Sequence, residues 1–469
     1  MSPSRCWVPG WFATAASLLA ACSGASGPGG VTGDGGVTDG DGGTLPGFDG
    51  PPPTGTFPLA VSADGGSLVT ADGRPFLLHA EAAWSLIAQP DTAGAMQYLA
   101  DRRRRGVQAV LVNLIEHLYS DHHPANAAGD PPFTTAGDFS TPNEAYFAHA
   151  DQVIDLAASQ GMAVLLVPSY LGFNGGDEGW FHDMSLLTAA QCRSYGDFVG
   201  RRYATRHNII WVWGGDYTPP TDSPGETCMK SIRDGILAAE PGALATAHWQ
   251  PESTSRDEPA FASSISLVGV YTYLLDLQTC LTARAVTPRK PAFLIETCYE
   301  NESIRSCPDT PADIRRRQWW AFLGCGAGEI VGNNPIWKFG SGWPQQLASP
   351  ASLGEQRLAA IAGMVAWQTL APDSALVTAG QAPAGNDAEL AITRTADHKQ
   401  AVIYVPPAGA STITVDLGRM SGPVTATWQD PTADHSVGAG DGLTGSHAFT
   451  TPGNNNGGDR DWVLVLTPP

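Results

Sequence analysis

The stretch NIIWVWGGDYTPP, residues 208–220, decides the fold. Its run Ile209 to Trp213 shows no apolar/polar alternation, so it reads as a strand covered on both faces, as in a parallel sheet. Two glycines stop the run, and one carboxylate, Asp216, follows them. A helical stretch, TAAQCRSYGDFVGRRYATR, comes before it, and the same order is seen upstream. TAGAMQYLADRRRRG leads into VQAVLVNL, and NEAYFAHADQVIDLAASQG leads into MAVLLVPSY. Further runs lie at ALATAHWQ, ISLVGVYTY, PAFLIETCYE and GAGEIVGNN, and with the one starting at Phe76 they make eight. Eight buried strands separated by helices over roughly 310 residues predict a (β/α)8 TIM barrel at 57–370. No GxGxxG follows the first run, so an open dinucleotide-binding sheet is the weaker alternative.

Past MVAWQTLAPDS the pattern changes. AELAITRT, QAVIYVPP, STITVDL, VTATWQD and DWVLVLTPP are short runs between Gly, Pro, Asn and Asp. They predict a small C-terminal β-sandwich at 371–469.

The 469 residues carry a formal net charge of −20, with 54 glycines, 37 prolines and few lysines. Such acidity argues against nucleic acid and against anionic membrane surfaces as partners. At the N-terminus, Arg5 followed by WFATAASLLAA and then LAAC reads as a lipoprotein signal, residues 1–22, with Cys22 as the lipid-bearing residue. The Gly/Asp-rich segment 23–56 then reads as a flexible tether. The expectation is an exported protein held to a bacterial membrane by its N-terminal lipid and facing the periplasm or cell exterior. Setting Cys6 and Cys22 aside leaves Cys192, Cys228, Cys280, Cys298, Cys307 and Cys325, an even set that suits disulfides in an exported chain. Six cysteines allow fifteen pairings, of which Cys298–Cys307 around a short loop is the first choice. The run Arg102 to Arg105 ends a predicted helix and reads as a solvated basic face.

In a barrel, chemistry sits at the C-terminal ends of the strands. The residues there are Glu81 and Trp84, Asn113 and Glu116, Pro168 and Tyr170, Asp216, His248 and Trp249, Tyr271 and Tyr273, Glu296 and Glu300, and Asn333, Asn334 and Trp337. Amides and carboxylates match sugar hydroxyls, and Trp and Tyr match the CH faces of sugar rings. Cleaving a glycosidic bond needs two carboxyl groups, one protonated and one ionised. Asp216 and Glu296, each ending an apolar strand, are the expected catalytic pair. Glu81, Trp84, Asn113, Tyr170, His248, Trp249, Tyr271, Tyr273, Glu300, Asn333 and Trp337 are the expected substrate contacts. No cofactor and no metal is expected: His122 and His123 lie in a loop without a third histidine at metal spacing, and the first strand carries only His79 where barrel metallohydrolases carry HxH. GxSxG is also absent. The rival readings are a barrel that binds carbohydrate without turnover, as a surface lipoprotein, and a metal-dependent hydrolase.

PLAVSADGGSLVTADGRPFLLHAEAAW, YFAHADQVIDLAASQGMAVLLVPSY, HNIIWVWGGD, PAFLIETCYE and GNNPIWKF together resemble the apiosidase-like glycoside hydrolases. ITVDLGRMSG, TWQDPTA and DWVLVL resemble the domain, named for collagen binding, that is often joined to them. The resemblance runs from Phe57 onward. It implies a retaining hydrolase of plant-wall pectin side chains, with Asp216 of GGD as acid/base and Glu296 of IETCYE as nucleophile. Glu81 stands where the family's first-strand G-D-T-A-W motif has Asp, and Ile295-Glu296 stands where it has G-E.

Overall fold

The computed structural model describes residues 54–274, 276–303 and 307–469. The expected signal segment, Cys22 and most of the tether lie outside them. Among the described residues no helix is long and apolar enough to cross a membrane.

All eight expected runs form parallel barrel strands: Leu78–Ala82, Ala109–Asn113, Ala163–Val167, Ile209–Gly214, Ala245–His248, Val268–Tyr271, Ala292–Glu296 and Gly326–Val331. Each pairs in register with its neighbour except at one seam. There the fifth and sixth strands are joined through Ala245 O, which accepts from Ser266 N at 2.7 Å and Leu267 N at 3.1 Å. A short strand, Ser253–Thr254, pairs antiparallel with the end of the sixth. Residues 60–76 form a separate three-stranded antiparallel sheet.

The strands are mostly apolar because both faces are buried, and the charged groups they do carry are paired, His79 with Glu329 and Glu81 with Arg102. Ala80, Leu111, Leu165, Val212, Phe293 and Ile330 fill the barrel, while Val110, Val112, Leu166, Trp211 and Trp213 point outward against Leu99, Phe147, Ile154 and Val199 of the helices. The outer helices start at side-chain caps. Ser223, Thr310 and Ser349 each accept from a backbone N–H, and each is followed by proline at the first helical position. The six barrel cysteines pair as Cys192–Cys228, Cys280–Cys325 and Cys298–Cys307. The first two tie adjacent outer helices, and the third closes a loop beside the barrel mouth.

The arginine run departs from the expected solvated face. Arg102 is fully buried and Arg103 is 6% exposed. The first barrel strand places Glu81 on its outer side, where Arg102 Nη1 meets Glu81 Oε1 at 3.0 Å, Ser352 Oγ at 2.7 Å and Glu355 Oε2 at 3.8 Å. A buried carboxylate called for a cation, and the end of the helix Thr92–Arg104 supplies it.

The C-terminal region holds a six-stranded and a three-stranded antiparallel sheet. In its central strands, Ile403, Val405, Leu464 and Leu466 face the smaller sheet. Val402, Tyr404, Val463 and Val465 face Trp319, Phe322, Leu358 and Ile361 on the barrel helices Pro311–Cys325 and Pro350–Ala362. Across that seam Arg315 grips Asp461 with two contacts of 2.7 Å and reaches Asp459 at 2.9 Å. The sandwich is therefore welded to the barrel wall.

Candidate active site

Gly214 and Gly215 end the fourth strand with positive φ. A Cβ on Gly214 would lie 2.6 Å from His248 O, and one on Gly215 would lie 2.4 Å from the Tyr170 ring. The two glycines serve close packing of protein against protein at the barrel rim. They deliver Asp216 at φ +56, a left-handed conformation uncommon for Asp and held by its surroundings.

Two phenols and an imidazole surround Asp216. Tyr170 Oη donates to Oδ2 at 2.6 Å, Tyr271 Oη lies at hydrogen-bond distance from Oδ1, 2.7 Å, and the Asp216 backbone N–H donates to His248 Nδ1 at 3.0 Å. That last bond assigns the His248 proton to Nε2, which faces Glu296 Oε2 at 3.0 Å. Glu296 also accepts from Tyr299 Oη at 2.9 Å and Tyr273 Oη at 3.1 Å. Trp84 Nε1 in turn donates to Tyr299 Oη at 3.2 Å. An oxygen of Asp216, an oxygen of Glu296 and a nitrogen of His248 lie within 4.8 Å of one another.

The electrostatics follow from this packing. Burial first, and the neighbouring Glu296 charge second, push the Asp216 pKa up to about 6, against the pull of His248 and the two phenols. Burial alone would lower His248, but the two carboxylates more than reverse it and its pKa is raised. A metal ion at this trio would have to displace the hydrogen bond made by whichever His248 ring nitrogen it takes, Nδ1 with Asp216 N or Nε2 with Glu296.

The pair opens into a cavity of about 490 Å3, counted to its open mouth. Of the expected substrate contacts, Trp84, Tyr170, Tyr271, Tyr273 and Trp337 line it beside Asp216 and Glu296. Tyr119, Phe173, Tyr299 and Glu302 line it as well and were not singled out in the sequence. Tyr299 carried a signal, an aromatic between two carboxylates just after the seventh strand. Tyr119, Phe173 and Glu302 sit on long loops without pattern. Burial and the charge of Glu296 push Glu302 up to about 7.

The remaining expected contacts lie elsewhere. Glu81 faces Arg102 on the outside of the barrel. Glu300 accepts from Asn333 Nδ2 at 2.7 Å and from Ala351 N at 3.2 Å, so its carboxylate is engaged within the rim. Trp249 is buried in the outer core, with Nε1 donating to Ser255 O. Asn113 is 2% exposed, and neither end of its amide meets a partner among the described residues. His248 is buried behind the carboxyl pair, stacked on Tyr271 at 4.6 Å between ring centroids. Glu116 accepts from Ser85 Oγ at 2.7 Å and from the backbone N–H groups of His117 and Tyr119, which organises the loop after the second strand.

A barrel whose C-terminal mouth holds two facing carboxyls among aromatic rings has the form of a glycoside hydrolase. Residues 62–369 match the family "Apiosidase-like, catalytic domain", and the chain belongs to it. It is thus a glycoside hydrolase, with carbohydrate as its substrate. Residues 371–467 match the family "Putative collagen-binding domain of a collagenase". Among solved structures, one described as "Glycoside hydrolase" is similar at 21% identity and TM-score 0.75, covering 89% of this chain and 98% of that one. A glycoside hydrolase family 5 structure from Bacteroides vulgatus ATCC 8482 is similar at 20% identity and TM-score 0.75, covering 87% and 93%. Both likenesses are of fold. No curated protein sequence matches the chain.

Proposed function

We propose that the protein is a retaining glycoside hydrolase acting on plant-wall polysaccharide, of the apiose-type pectin side-chain kind, or on a related polysaccharide, with Glu296 as nucleophile and Asp216 as acid/base. The observation that carries this reading is the approach of the two carboxyls, with an oxygen of each within 4.8 Å. Retaining pairs stand about 5–5.5 Å apart and inverting pairs about 6.5–9.5 Å, which leaves room for a water. The raised Asp216 supports its role as the proton donor.

In the first step Glu296 attacks the anomeric carbon while Asp216 gives its proton to the departing glycosidic oxygen. In the second, Asp216 takes a proton from water, the water oxygen attacks the same carbon, and Glu296 is freed. Tyr299, Tyr273 and His248 hold the nucleophile in line, and Trp84 and Trp337 offer faces for the ring. We also propose export and lipidation at Cys22, supported by the sequence and by the three disulfides, which suit an oxidising compartment.

Proton NMR of the first anomer released from pectic oligosaccharides tests the assignment. Retained configuration is expected, and an inverted product would overturn it. Tight glycan binding without release of sugar from any oligosaccharide would favour the non-hydrolysing rival. Palmitate labelling lost in Cys22→Ser would support the anchor, and unchanged labelling would remove it.

A further inference from the structure

Four oxygens run in file across the barrel mouth: Asp216 Oδ1, Tyr271 Oη, Tyr273 Oη and Glu296 Oε1. The successive gaps are 2.7, 2.7 and 3.1 Å. Each gap is a hydrogen-bond distance, and each bond needs one proton. The two phenols, whose pKa values are raised by burial first and by the nearby carboxylates second, stay protonated and bring two. Three contacts therefore ask for one proton more than the tyrosines hold. If both carboxyls are ionised, each phenol turns its O–H outward to a carboxylate. The two phenol oxygens then face each other at 2.7 Å with no proton between them.

Supplying the third proton from Asp216 resolves the conflict. Asp216 donates to Tyr271, Tyr271 to Tyr273, and Tyr273 to Glu296, in one directed chain. The reverse direction, starting from a protonated Glu296, fits the surroundings less well. Glu296 Oε2 already accepts from Tyr299 and from His248 Nε2, whereas Asp216 Oδ2 accepts from Tyr170 alone. The negative charge belongs where more donors converge. The other titratable groups facing this chain are His248, with Nδ1 at 3.9 Å from Asp216 Oδ1, and Glu302 on the wall beside Glu296.

We infer that Tyr271 and Tyr273 are positioning residues that form a two-phenol bridge, tying protonated Asp216 to ionised Glu296, the pairing from which glycosyl transfer starts. The inference rests on the roles proposed above for these two carboxyls. It also gives the bridge a part in the second step. Once Glu296 carries the glycosyl group its Oε1 ceases to be an anionic acceptor, the chain loses its sink, and Tyr271 turns its O–H to the Asp216 carboxylate, which is then the base.

Tyr273 does not touch Asp216, and that makes the bridge testable. Tyr273→Phe removes the acceptor for the Tyr271 O–H, which then donates permanently to Asp216 and favours its charged form. The alkaline limb of the kcat/KM profile should move down by about one pH unit, the size of one hydrogen bond to a charged group. In a Tyr271→Phe background the same change should move the limb by nothing, because the link is already cut. An unmoved limb in Tyr273→Phe, or an equal shift in both backgrounds, would overturn the bridge.

An infrared titration of the Asp216 carboxyl band, identified by its loss in Asp216→Asn, reads the same pKa in the resting enzyme without turnover. A band that shifts in Tyr273→Phe, but only when Tyr271 is present, supports the bridge even in a protein that hydrolyses no glycan, and the catalytic roles alone then fail. An unshifted band in a protein that hydrolyses glycans overturns the bridge and leaves the catalytic roles standing.

Discussion

The barrel buries carboxyl groups in two ways. On its outer wall Glu81 and Asp101 meet the guanidinium of Arg102, and at the seam with the C-terminal sandwich Asp461 meets Arg315. At the mouth Asp216 and Glu296 meet phenols and an imidazole, with no arginine or lysine among the lining residues. A guanidinium neutralises a buried carboxylate and fixes it. Neutral donors orient it while leaving the cost of its charge in place, so Asp216 is held near the point where it can give up a proton and take one back. The wall uses charge to hold structure, and the mouth leaves charge unbalanced for chemistry.

This contrast can be broken by substitution on either side. At the mouth, Glu296→Ala should abolish turnover of every substrate, activated aryl glycosides included, while thermal unfolding stays close to wild type. Loss of folding together with activity would make Glu296 a structural residue. On the wall, Arg102→Met leaves Glu81 buried without its cation, while Asp101 keeps Arg105. It should cost about 3–5 kcal/mol of stability, read as a lower urea midpoint. A change below about 1 kcal/mol would show that the wall does not depend on the ion pair.

Asp216→Ala should slow substrates with poor leaving groups by about 10²–10⁴-fold and spare the first step on activated ones, with azide restoring the second. Azide rescue of Glu296→Ala instead, to an inverted product, would exchange the two roles. The pH profile sharpens the comparison further. Because the Asp216 pKa is raised to about 6, its acid form persists at low pH and is lost as pH rises through that value. Activity on natural substrates should then fall about tenfold per unit above it, and the Asp216→Ala profile should lack that limb. A limb shared by both proteins would place the titrating group elsewhere.

The smallest expected effect lies on the wall. Glu355 is fully buried, and burial first, then the Glu81 charge, hold its pKa well above 4.5 despite Arg102. A carboxyl raised in the folded state contributes stability below its unfolded pKa and loses it as pH rises toward the folded value. Glu355→Gln should therefore be neutral near pH 4 and modestly stabilising near pH 7, by less than the Arg102 effect. Destabilisation at neutral pH would mean that Glu355 is needed as an anion beside Arg102.

The sequence by itself determined the barrel, the C-terminal sandwich and the two carboxyls at the mouth. The physical reason is local: a strand covered on both faces is apolar at most positions, so VQAVLVNL or NIIWVWGGD betrays its place, and the polar residue that closes it lands at the rim. AVIYV at 401–405 is apolar throughout for the same reason, although its second cover is the barrel helix pair, which no local pattern names.

Only the tertiary structure decided which way each rim residue points. Glu81 ends its strand as Glu296 does, yet it faces outward, because Arg102 from the next helix is there to meet it. Asn333 and Glu300 bind each other at the rim and are not on the cavity wall. The cysteine pairing, the burial of Arg102 and the cavity residues Tyr119, Phe173 and Glu302 depend on which distant segments meet. Those meetings are settled by packing, by a charge that requires its counter-charge, and by donors that require acceptors, none of which is written at any one position of the chain.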